Sequence, residues 1–228
     1  MTTPTALVTG AATGIGKAIA AGLAARGFDV WLGARNRSRG AAAATEAGGR
    51  FVRLDVTSDE EVAAAVRTVG RLDVLVNNAG TNTGGYALPS QEDVAAMREV
   101  YETNVFGVVR VTNAFLPLLR DSPAGRIVMV SSMRGSFAEP GAWAGRPSMP
   151  YSSSKTALNA LTAHYAHELA GTGIKVNSAC PGHVATAFNA FRGLRTPEEG
   201  AAEAIRLATL APDGPTGKSF QDGRELAW

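Results

Sequence analysis

The sequence predicts an α/β fold in which a doubly wound, mostly parallel sheet carries helices on both faces. Short runs rich in Val, Leu and Ile alternate with longer segments of helical spacing along the whole chain. Most of these short runs are continuously apolar, as expected for strands that are covered on both faces. At 228 residues the chain can bury one sizeable core, so we predict a single domain over residues 1–228.

The elements of this fold can be placed in order along the chain. Seven strands are predicted at residues 5–9, 29–33, 51–55, 73–77, 126–131, 175–179 and 218–220. Helices are predicted at residues 15–26, 38–47, 59–68, 91–119, 151–170 and 197–210, the fourth as two helices or one long bent helix. Ser58, directly before three acidic residues, is a predicted N-cap. Residues 133–150 contain many Gly and Pro and predict a loop.

Charge and composition exclude several classes of function. The formal net charge of +2 comes with no basic tail or block, so nucleic-acid or membrane-surface binding has no electrostatic support. No apolar run reaches the roughly 18 residues of a membrane span, and the N-terminus leaves no room for a signal peptide. The single cysteine, Cys180, cannot form an internal disulfide. These features predict a cytoplasmic protein.

A glycine-rich turn joins the first predicted strand to the first helix. The segment reads Thr-Gly-Ala-Ala-Thr-Gly-Ile-Gly over residues 9–16. Glycines let a backbone approach a pyrophosphate, and a helix N-terminus offers free N–H groups and a partial positive charge. The spacing differs from the G-x-G-x-x-G dinucleotide motif, and alone the segment could be a simple tight turn.

Five further groups of polar or small residues accompany this turn. They are Asn-Asn-Ala-Gly at 77–80, Asn104, Ser131-Ser132, Tyr-Ser-Ser-Ser-Lys at 151–155, and Pro-Gly-His-Val-Ala-Thr at 181–186. In this order and at these spacings, the set resembles the short-chain dehydrogenase/reductase family from residue 6 to the C-terminus. The resemblance implies a Rossmann-type, seven-stranded sheet, a nicotinamide cofactor and oxidoreductase activity.

Tyr151 and Lys155 are the predicted acid–base pair. They lie four residues apart, so on a helix they share one face. A nearby ammonium favours the phenolate, so we expect Lys155 to lower the pKa of Tyr151 from its usual value near 10. Ser132 would polarise the carbonyl oxygen of the substrate. Ser131 is a competing assignment, and Ser132 is preferred because in the family the catalytic serine is the last before the turn.

The resemblance completes the catalytic set and the cofactor site. It implies that Lys155 also holds the nicotinamide ribose and that Asn104 positions a water linking the lysine to solvent. The second strand ends without an acid, since Asp29 lies at its beginning, and Arg35 could bind a 2′-phosphate with help from Asn36 or Arg37. The sequence therefore predicts NADP as the cofactor. The predicted cofactor-binding residues are Gly10, Thr13, Gly14, Ile15, Gly16, Arg35, Asp55, Val56, Asn77, Ala79, Gly80, Tyr151, Lys155, Pro181, Gly182, Val184 and Thr186.

The predicted reaction is the NADPH-dependent reduction of a ketone or aldehyde to an alcohol. The end of the chain resembles the carbonyl reductase branch of the family. One alternative is an NAD-dependent secondary-alcohol dehydrogenase, against which Arg35 argues. Another is a non-catalytic, cofactor-sensing regulator, against which the intact Tyr151 and Lys155 argue.

Substrate contacts and partners are predicted less directly. The candidate substrate residues are Met133, Trp143, His183 and Phe188, although ordinary packing would explain each of them equally well. A short segment at 187–195 predicts an open pocket and a bulky or planar carbonyl substrate. No metal site is predicted, because His164 and His167 lack a third ligand. The resemblance implies a homodimer or homotetramer, while the long segment before Tyr151 is also compatible with a monomer.

Overall fold

The computed structural model describes residues 3–83 and 86–228, and strands and helices alternate through them. The strands are β1 (Thr5–Thr9), β2 (Asp29–Ala34), β3 (Arg50–Arg53), β4 (Val74–Asn77), β5 (Arg126–Val130), β6 (Lys175–Ala179), β7 (Ser219–Gln221) and β8 (Arg224–Leu226). The helices are α1 (Gly14–Ala24), α2 (Arg37–Ala47), α3 (Asp59–Val69), α4 (Val94–Tyr101), α5 (Gly107–Arg120), α6 (Met149–Glu168) and α7 (Pro197–Ala208). Residues 1 and 2 of the predicted domain lie outside the described part of the chain.

The strands form one sheet with the order β3-β2-β1-β4-β5-β6-β7-β8. Strands β1 to β7 run parallel, and β8 pairs antiparallel with β7. The predicted Rossmann-type, doubly wound class is confirmed, but the prediction of seven strands was one short. The missing strand, β8, has only three residues, Arg-Glu-Leu, and two of them are charged and exposed. It therefore carries no apolar pattern that could have revealed it.

Each face of the sheet is covered by helices that bury their apolar side chains on it. One core contains Ile19 and Leu23 of α1 and Ile205 of α7, packed on alternate strand residues such as Val8 and Val128. The other contains residues of α3, α5 and α6, such as Phe115, packed on the remaining strand residues. Both faces being buried explains why the strands read as continuous apolar runs. None of the described helices is long and apolar enough to cross a membrane.

Two local predictions about helices can be compared with the structure. Ser58 caps α3, since its Oγ accepts a hydrogen bond from Glu61 N at 3.2 Å, which confirms the predicted N-cap. The segment predicted at 91–119 is two α-helices, α4 and α5, joined by a π-helical turn at Glu102–Phe106. Such turns are rare and occur frequently at functional sites. Here the turn carries Asn104, which is fully buried.

Candidate active site

The predicted motifs gather at the carboxyl edge of the sheet. β1 lies between β2 and β4, so the strand order reverses there, and a crevice opens outside the carboxyl ends of these strands. The glycine loop (residues 10–16) follows β1, and residues 77–80 close β4. Ser132 follows β5, and residues 181–186 follow β6. Because these strands are parallel, the four segments meet at one edge.

The glycine loop has the shape that an approaching phosphate requires. Gly10 and Gly14 adopt positive φ angles of 64° and 55°. A Cβ at Gly10 would lie 2.8 Å from Ala79 Cα, so only glycine fits against the end of β4. Thr13, at the N-cap of α1, makes no side-chain capping bond. The first N–H groups of α1 are therefore left for a ligand, and this segment suits an anionic pyrophosphate.

Thr9 and Asn78 hold the glycine loop against the end of β4. Asn78 Nδ2 donates to Thr9 O at 2.9 Å, and Thr9 Oγ1 accepts from the backbone N–H groups of Asn78 and Ala79 at 3.0 and 2.9 Å. Asn78 is not among the predicted cofactor-binding residues. Asn77 is, and the structure shows its Nδ2 donating into the core to Thr112 Oγ1 at 3.0 Å. The Asn77 side chain therefore stabilises α5 against β4.

The segment 181–186, after β6, lies beside the glycine loop. Val184 and Thr186 are both buried, and a Cβ at Gly14 would lie 3.2 Å from Thr186 Cγ2. The segment that the family resemblance associates with the nicotinamide carboxamide thus lies directly beside the glycine loop. The described structure has Gly182 at a φ of 73°, which turns the chain sharply after Pro181.

Arg35 and Asp55 stand at the ends of β2 and β3. Arg35 is exposed directly after β2, and no salt bridge to it is found among the described residues. The backbone of β2 reaches the glycine loop, because Ala11 N donates to Gly33 O at 3.1 Å. Asp55 Oδ1 accepts from the backbone N and the hydroxyl of Thr57 at 2.9 and 2.8 Å. Its side chain therefore also shapes the turn before α3.

Tyr151 and Lys155 share a face of α6, as their spacing predicts. Lys155 Nζ lies 5.6 Å from the centroid of the Tyr151 ring. The ammonium is buried and donates to Val130 O, at the end of β5, at 2.8 Å. This bond fixes the lysine between the helix and the sheet edge, with its charge against the face of the phenol.

The pKa values of this pair differ from the expectation. Burial raises the pKa of Tyr151 to about 12, opposed by a hydrogen bond with the Ser132 side chain and by the charge of Arg134. Burial lowers the pKa of Lys155 to about 8. The predicted lowering of the Tyr151 pKa is therefore wrong for the protein alone, because loss of hydration outweighs the hydrogen bond with Ser132 and the charge of Arg134. At neutral pH the phenol keeps its proton and most of the lysine remains charged.

The two adjacent serines have different surroundings. Ser131 is buried, and its Oγ donates to Asn159 Oδ1 of α6 at 2.6 Å. Ser132 lies beside the phenol of Tyr151, and its Oγ accepts from Arg134 N at 3.2 Å. A Cβ at Gly135 would lie 2.7 Å from Lys155 C, so the turn after Ser132 packs directly on α6. The surroundings of Ser132, not those of Ser131, suit a carbonyl-polarising group.

Asn104 is buried behind this cluster. Its Oδ1 accepts from Thr81 N at 2.8 Å, and its Nδ2 donates to Thr81 O at 2.9 Å and Ser154 Oγ at 3.0 Å. Gly80 separates Asn104 from Lys155, since a Cβ there would be 3.4 Å from Asn104 Oδ1 and 3.8 Å from Lys155 Nζ. The absence of a side chain at Gly80 leaves room between the amide and the ammonium.

The four substrate candidates occupy different positions. The Phe188 ring lies 5.5 Å from the Tyr151 ring between centroids, so the structure brings this residue to the phenol. Trp143 is exposed, and its ring centroid lies 6.4 Å from that of Phe137, a residue that no sequence pattern singles out. Met133 is partly buried, and its backbone N–H donates to Cys180 Sγ at 3.1 Å. His183 is exposed. Within residues 3–83 and 86–228, no three His, Cys, Asp or Glu side chains are placed to share a metal ion.

Comparisons with known proteins agree with this arrangement. The sequence profile described as short chain dehydrogenase matches residues 4–195. The chain is 36% identical to short-chain dehydrogenase anuI of Penicillium roqueforti, over 99% of this chain and 97% of that protein. It is 32% identical to carbonyl reductase [NADPH] 1 of Mus musculus, over 99% and 98% of the two chains. The structure of salutaridine reductase from Papaver somniferum superposes with a TM-score of 0.82 at 28% identity, covering 96% of this chain and 99% of that one. The chain belongs to the short-chain dehydrogenase/reductase family of nicotinamide-dependent oxidoreductases.

Proposed function

We propose that this protein reduces a ketone or aldehyde to an alcohol with NADPH. The observation that carries the proposal is the convergence of a protonated Tyr151, Ser132 and a buried Lys155 at the edge of the crevice. The similarity to carbonyl reductase [NADPH] 1, a protein named for this cofactor and this class of reaction, supports it.

Each side chain has a separate task in this reaction. The bound nicotinamide supplies the hydride. Tyr151 donates its phenolic proton to the oxygen of the substrate, and its raised pKa keeps that proton in place at neutral pH. The Ser132 hydroxyl donates a hydrogen bond to the same oxygen and stabilises its developing negative charge. Lys155, held by Val130 O, stabilises the phenolate that remains after proton transfer.

A carbonyl panel with two matched tyrosine variants tests this reaction. NADPH oxidation is followed for the wild type, for Tyr151→Phe and for Tyr165→Phe. Tyr165 is a second tyrosine of α6 with a pKa raised to about 12, and it donates to Asn113 Oδ1 on α5. We expect Tyr151→Phe to lose about 10³-fold in kcat/KM, as removal of a general acid does, and Tyr165→Phe to keep activity.

Three results of that panel would contradict the proposal. Full turnover by Tyr151→Phe would remove the tyrosine from the mechanism. NADPH binding without turnover on any carbonyl would favour a cofactor-sensing regulator. Turnover of secondary alcohols with NAD but not NADP would favour the alcohol dehydrogenase.

The preference for NADPH rests on Arg35. Its guanidinium is exposed at the end of β2, where a bidentate contact with a 2′-phosphate is geometrically simple. We expect Arg35→Ala to raise the Kd of NADPH by about 10- to 100-fold and to leave the Kd of NADH unchanged. Arg50→Ala is the matched control, because Arg50 pairs with Asp29 at the opposite edge of the sheet. Tighter binding of NADH than NADPH by the wild type would overturn the assignment.

A further inference from the structure

The strand that the sequence did not predict belongs to a hairpin that touches both sides of the crevice. We define the C-terminal hairpin as residues 219–227, which contain β7 and β8. We define the substrate-side loop as residues 133–148, between Ser132 and α6, and the cofactor-side loop as residues 181–195, between β6 and α7. Both loops lack long regular secondary structure, so their positions depend on contacts with other elements.

The first contact joins the hairpin to the substrate-side loop. Arg224 Nη1 and Nη2 donate to Glu139 Oε1 and Oε2 at 3.0 and 2.9 Å, a bidentate pair. Ala227 N donates to Glu139 Oε1 at 3.0 Å, and Ser136 Oγ donates to Ala227 O at 2.8 Å. The Glu139 side chain is only 8% exposed, and its bond with Arg224 lowers its pKa. Four hydrogen bonds thus fasten this loop to β8 and the residue after it.

The second contact joins the hairpin to the cofactor-side loop. Arg195 Nη1 and Nη2 donate to Asp222 Oδ2 and Oδ1 at 3.1 and 2.6 Å. Arg195 reaches the beginning of the loop as well, since a Cβ at Gly182 would lie 2.8 Å from Arg195 Nη1. The backbone of Arg195 also bonds to His183 O and Ala185 N. The ion pair therefore fastens both ends of the loop that contains Val184 and Thr186.

The hairpin itself is fixed to the body of the fold. Gly223 N donates to the buried carboxylate of Glu203 on α7 at 2.7 Å. Cys180 Sγ, at the end of β6, lies 3.0 Å from Gln221 Oε1. Because α7 and β6 both belong to the packed core, the hairpin has a fixed position between two less regular loops.

We propose that the two ion pairs of this hairpin are positioning elements with separate tasks. Glu139–Arg224 holds the substrate-side loop, and Arg195–Asp222 holds the cofactor-side loop. Together they set the width of the crevice above Tyr151, and thereby which carbonyl substrates reach the phenol. The role of Glu139–Arg224 rests on the proposed reductase function. The role of Arg195–Asp222 rests on cofactor binding alone.

Neutral variants of each pair should have different consequences. Arg224→Gln loosens the substrate-side loop, so the KM of a bulky carbonyl should rise by about tenfold while kcat and the Kd of NADPH stay within about twofold. Asp222→Asn loosens the cofactor-side loop, so the Kd of NADPH should rise by about tenfold. The KM of the carbonyl, measured at saturating NADPH, should then remain unchanged.

A matched control and a rescue experiment keep the test specific. Lys218→Gln removes the Lys218–Glu225 ion pair of 2.7 Å, which joins the residue before the hairpin to β8 and reaches neither loop. It should change neither KM nor Kd. The conservative variant Arg224→Lys, which keeps a cation beside Glu139 and leaves the bond from Ala227 N intact, should rescue most of the KM that Arg224→Gln raises.

Two readouts separate this proposal from the proposed function. The Kd of NADPH is measured by cofactor fluorescence without turnover, and amide hydrogen exchange of residues 136–148 reports on the substrate-side loop. If the wild type reduces no carbonyl, selective deprotection of this loop in Arg224→Gln would still support the positioning role. Equal changes in KM and Kd for both variants, or a lowered Tm with neither changed, would show that the hairpin is merely structural.

Discussion

The two walls of the crevice are built in opposite ways. Behind Tyr151 lies a wall of buried polar side chains, including Asn104, Ser154 and Lys155, and each has a hydrogen-bond partner within the protein. The substrate-side and cofactor-side loops, which we call the mouth, carry aromatic side chains that remain exposed. Phe137 and Trp143 belong to the first loop and Phe188 and Phe191 to the second, and Phe188 lies beside the Tyr151 ring. The rear wall is saturated with internal bonds, whereas the mouth offers unburied apolar surface.

This difference separates the chemistry from the choice of substrate. Polar groups that stabilise a developing charge act best when their orientation is fixed before the reaction, and burial with full hydrogen bonding fixes it. An exposed apolar surface gains free energy only when a ligand covers it. For the proposed reaction, we therefore expect the rear wall to serve any carbonyl and the mouth to discriminate between substrates.

The two serines at the end of β5 give the largest expected difference. Ser132→Ala should lower kcat/KM by about 10²- to 10³-fold, because it removes the donor to the substrate oxygen. Ser131→Ala should leave kcat/KM within about threefold, since its hydroxyl bonds to Asn159. It should cost about 1–2 kcal/mol of unfolding free energy, measured in urea, because Asn159 Oδ1 loses its 2.6 Å partner in a buried position. If Ser131→Ala lost kcat/KM and Ser132→Ala lost only stability, the catalytic hydroxyl would belong to Ser131.

An intermediate effect is expected from pH. Lys155 has a pKa lowered to about 8, so its ammonium is lost as the pH rises through that value, while the Tyr151 proton persists until about pH 12. The proposed reduction needs both the phenolic proton of Tyr151 and the ammonium of Lys155. The rate of carbonyl reduction should therefore stay level below pH 8 and fall by about tenfold for each pH unit above it. A level profile up to pH 10, with the fold shown intact by circular dichroism, would contradict this role of the lysine.

The residues of the rear wall could be predicted from the sequence far better than the asparagines that hold the neighbouring segments in place. Tyr151, Lys155 and Asn104 each belong to a local pattern, and the apolar strands locate the sheet edge at which they meet. The side-chain roles of Asn78, which lies in the segment 77–80, and of Asn159 could not be predicted, because both act through long-range bonds. Asn78 Nδ2 donates to Thr9 O and Gly10 O, and Asn159 Oδ1 accepts from Ser131 Oγ and Ser178 Oγ. Such bonds leave no periodic signal in the sequence.

The conformation of the substrate-side loop could be predicted least from the sequence. This loop contains two short 3₁₀ helices, Met133–Gly135 and Pro140–Trp143, and it depends on Glu139, whose partner Arg224 lies 85 positions away. Neither residue stands out in the sequence, since charged side chains are usually solvated. The direction of the Tyr151 pKa shift could not be predicted for a related reason. The spacing to Lys155 is visible in the sequence, but the burial that outweighs it is a property of the tertiary structure.

The smallest expected effect concerns the exposed aromatic pair at the mouth. Trp143 is 72% exposed and Phe137 70% exposed, and their rings lie 6.4 Å apart. A planar aromatic ketone that covers them would gain about 1 kcal/mol, so Trp143→Ala should raise its KM by about three- to tenfold. Trp143→Phe should keep most of that affinity, and the KM of a small aliphatic ketone should not change in either variant. If both ketones lost affinity equally, Trp143 would act on the position of the substrate-side loop, and discrimination would have to lie with Phe188 beside the phenol.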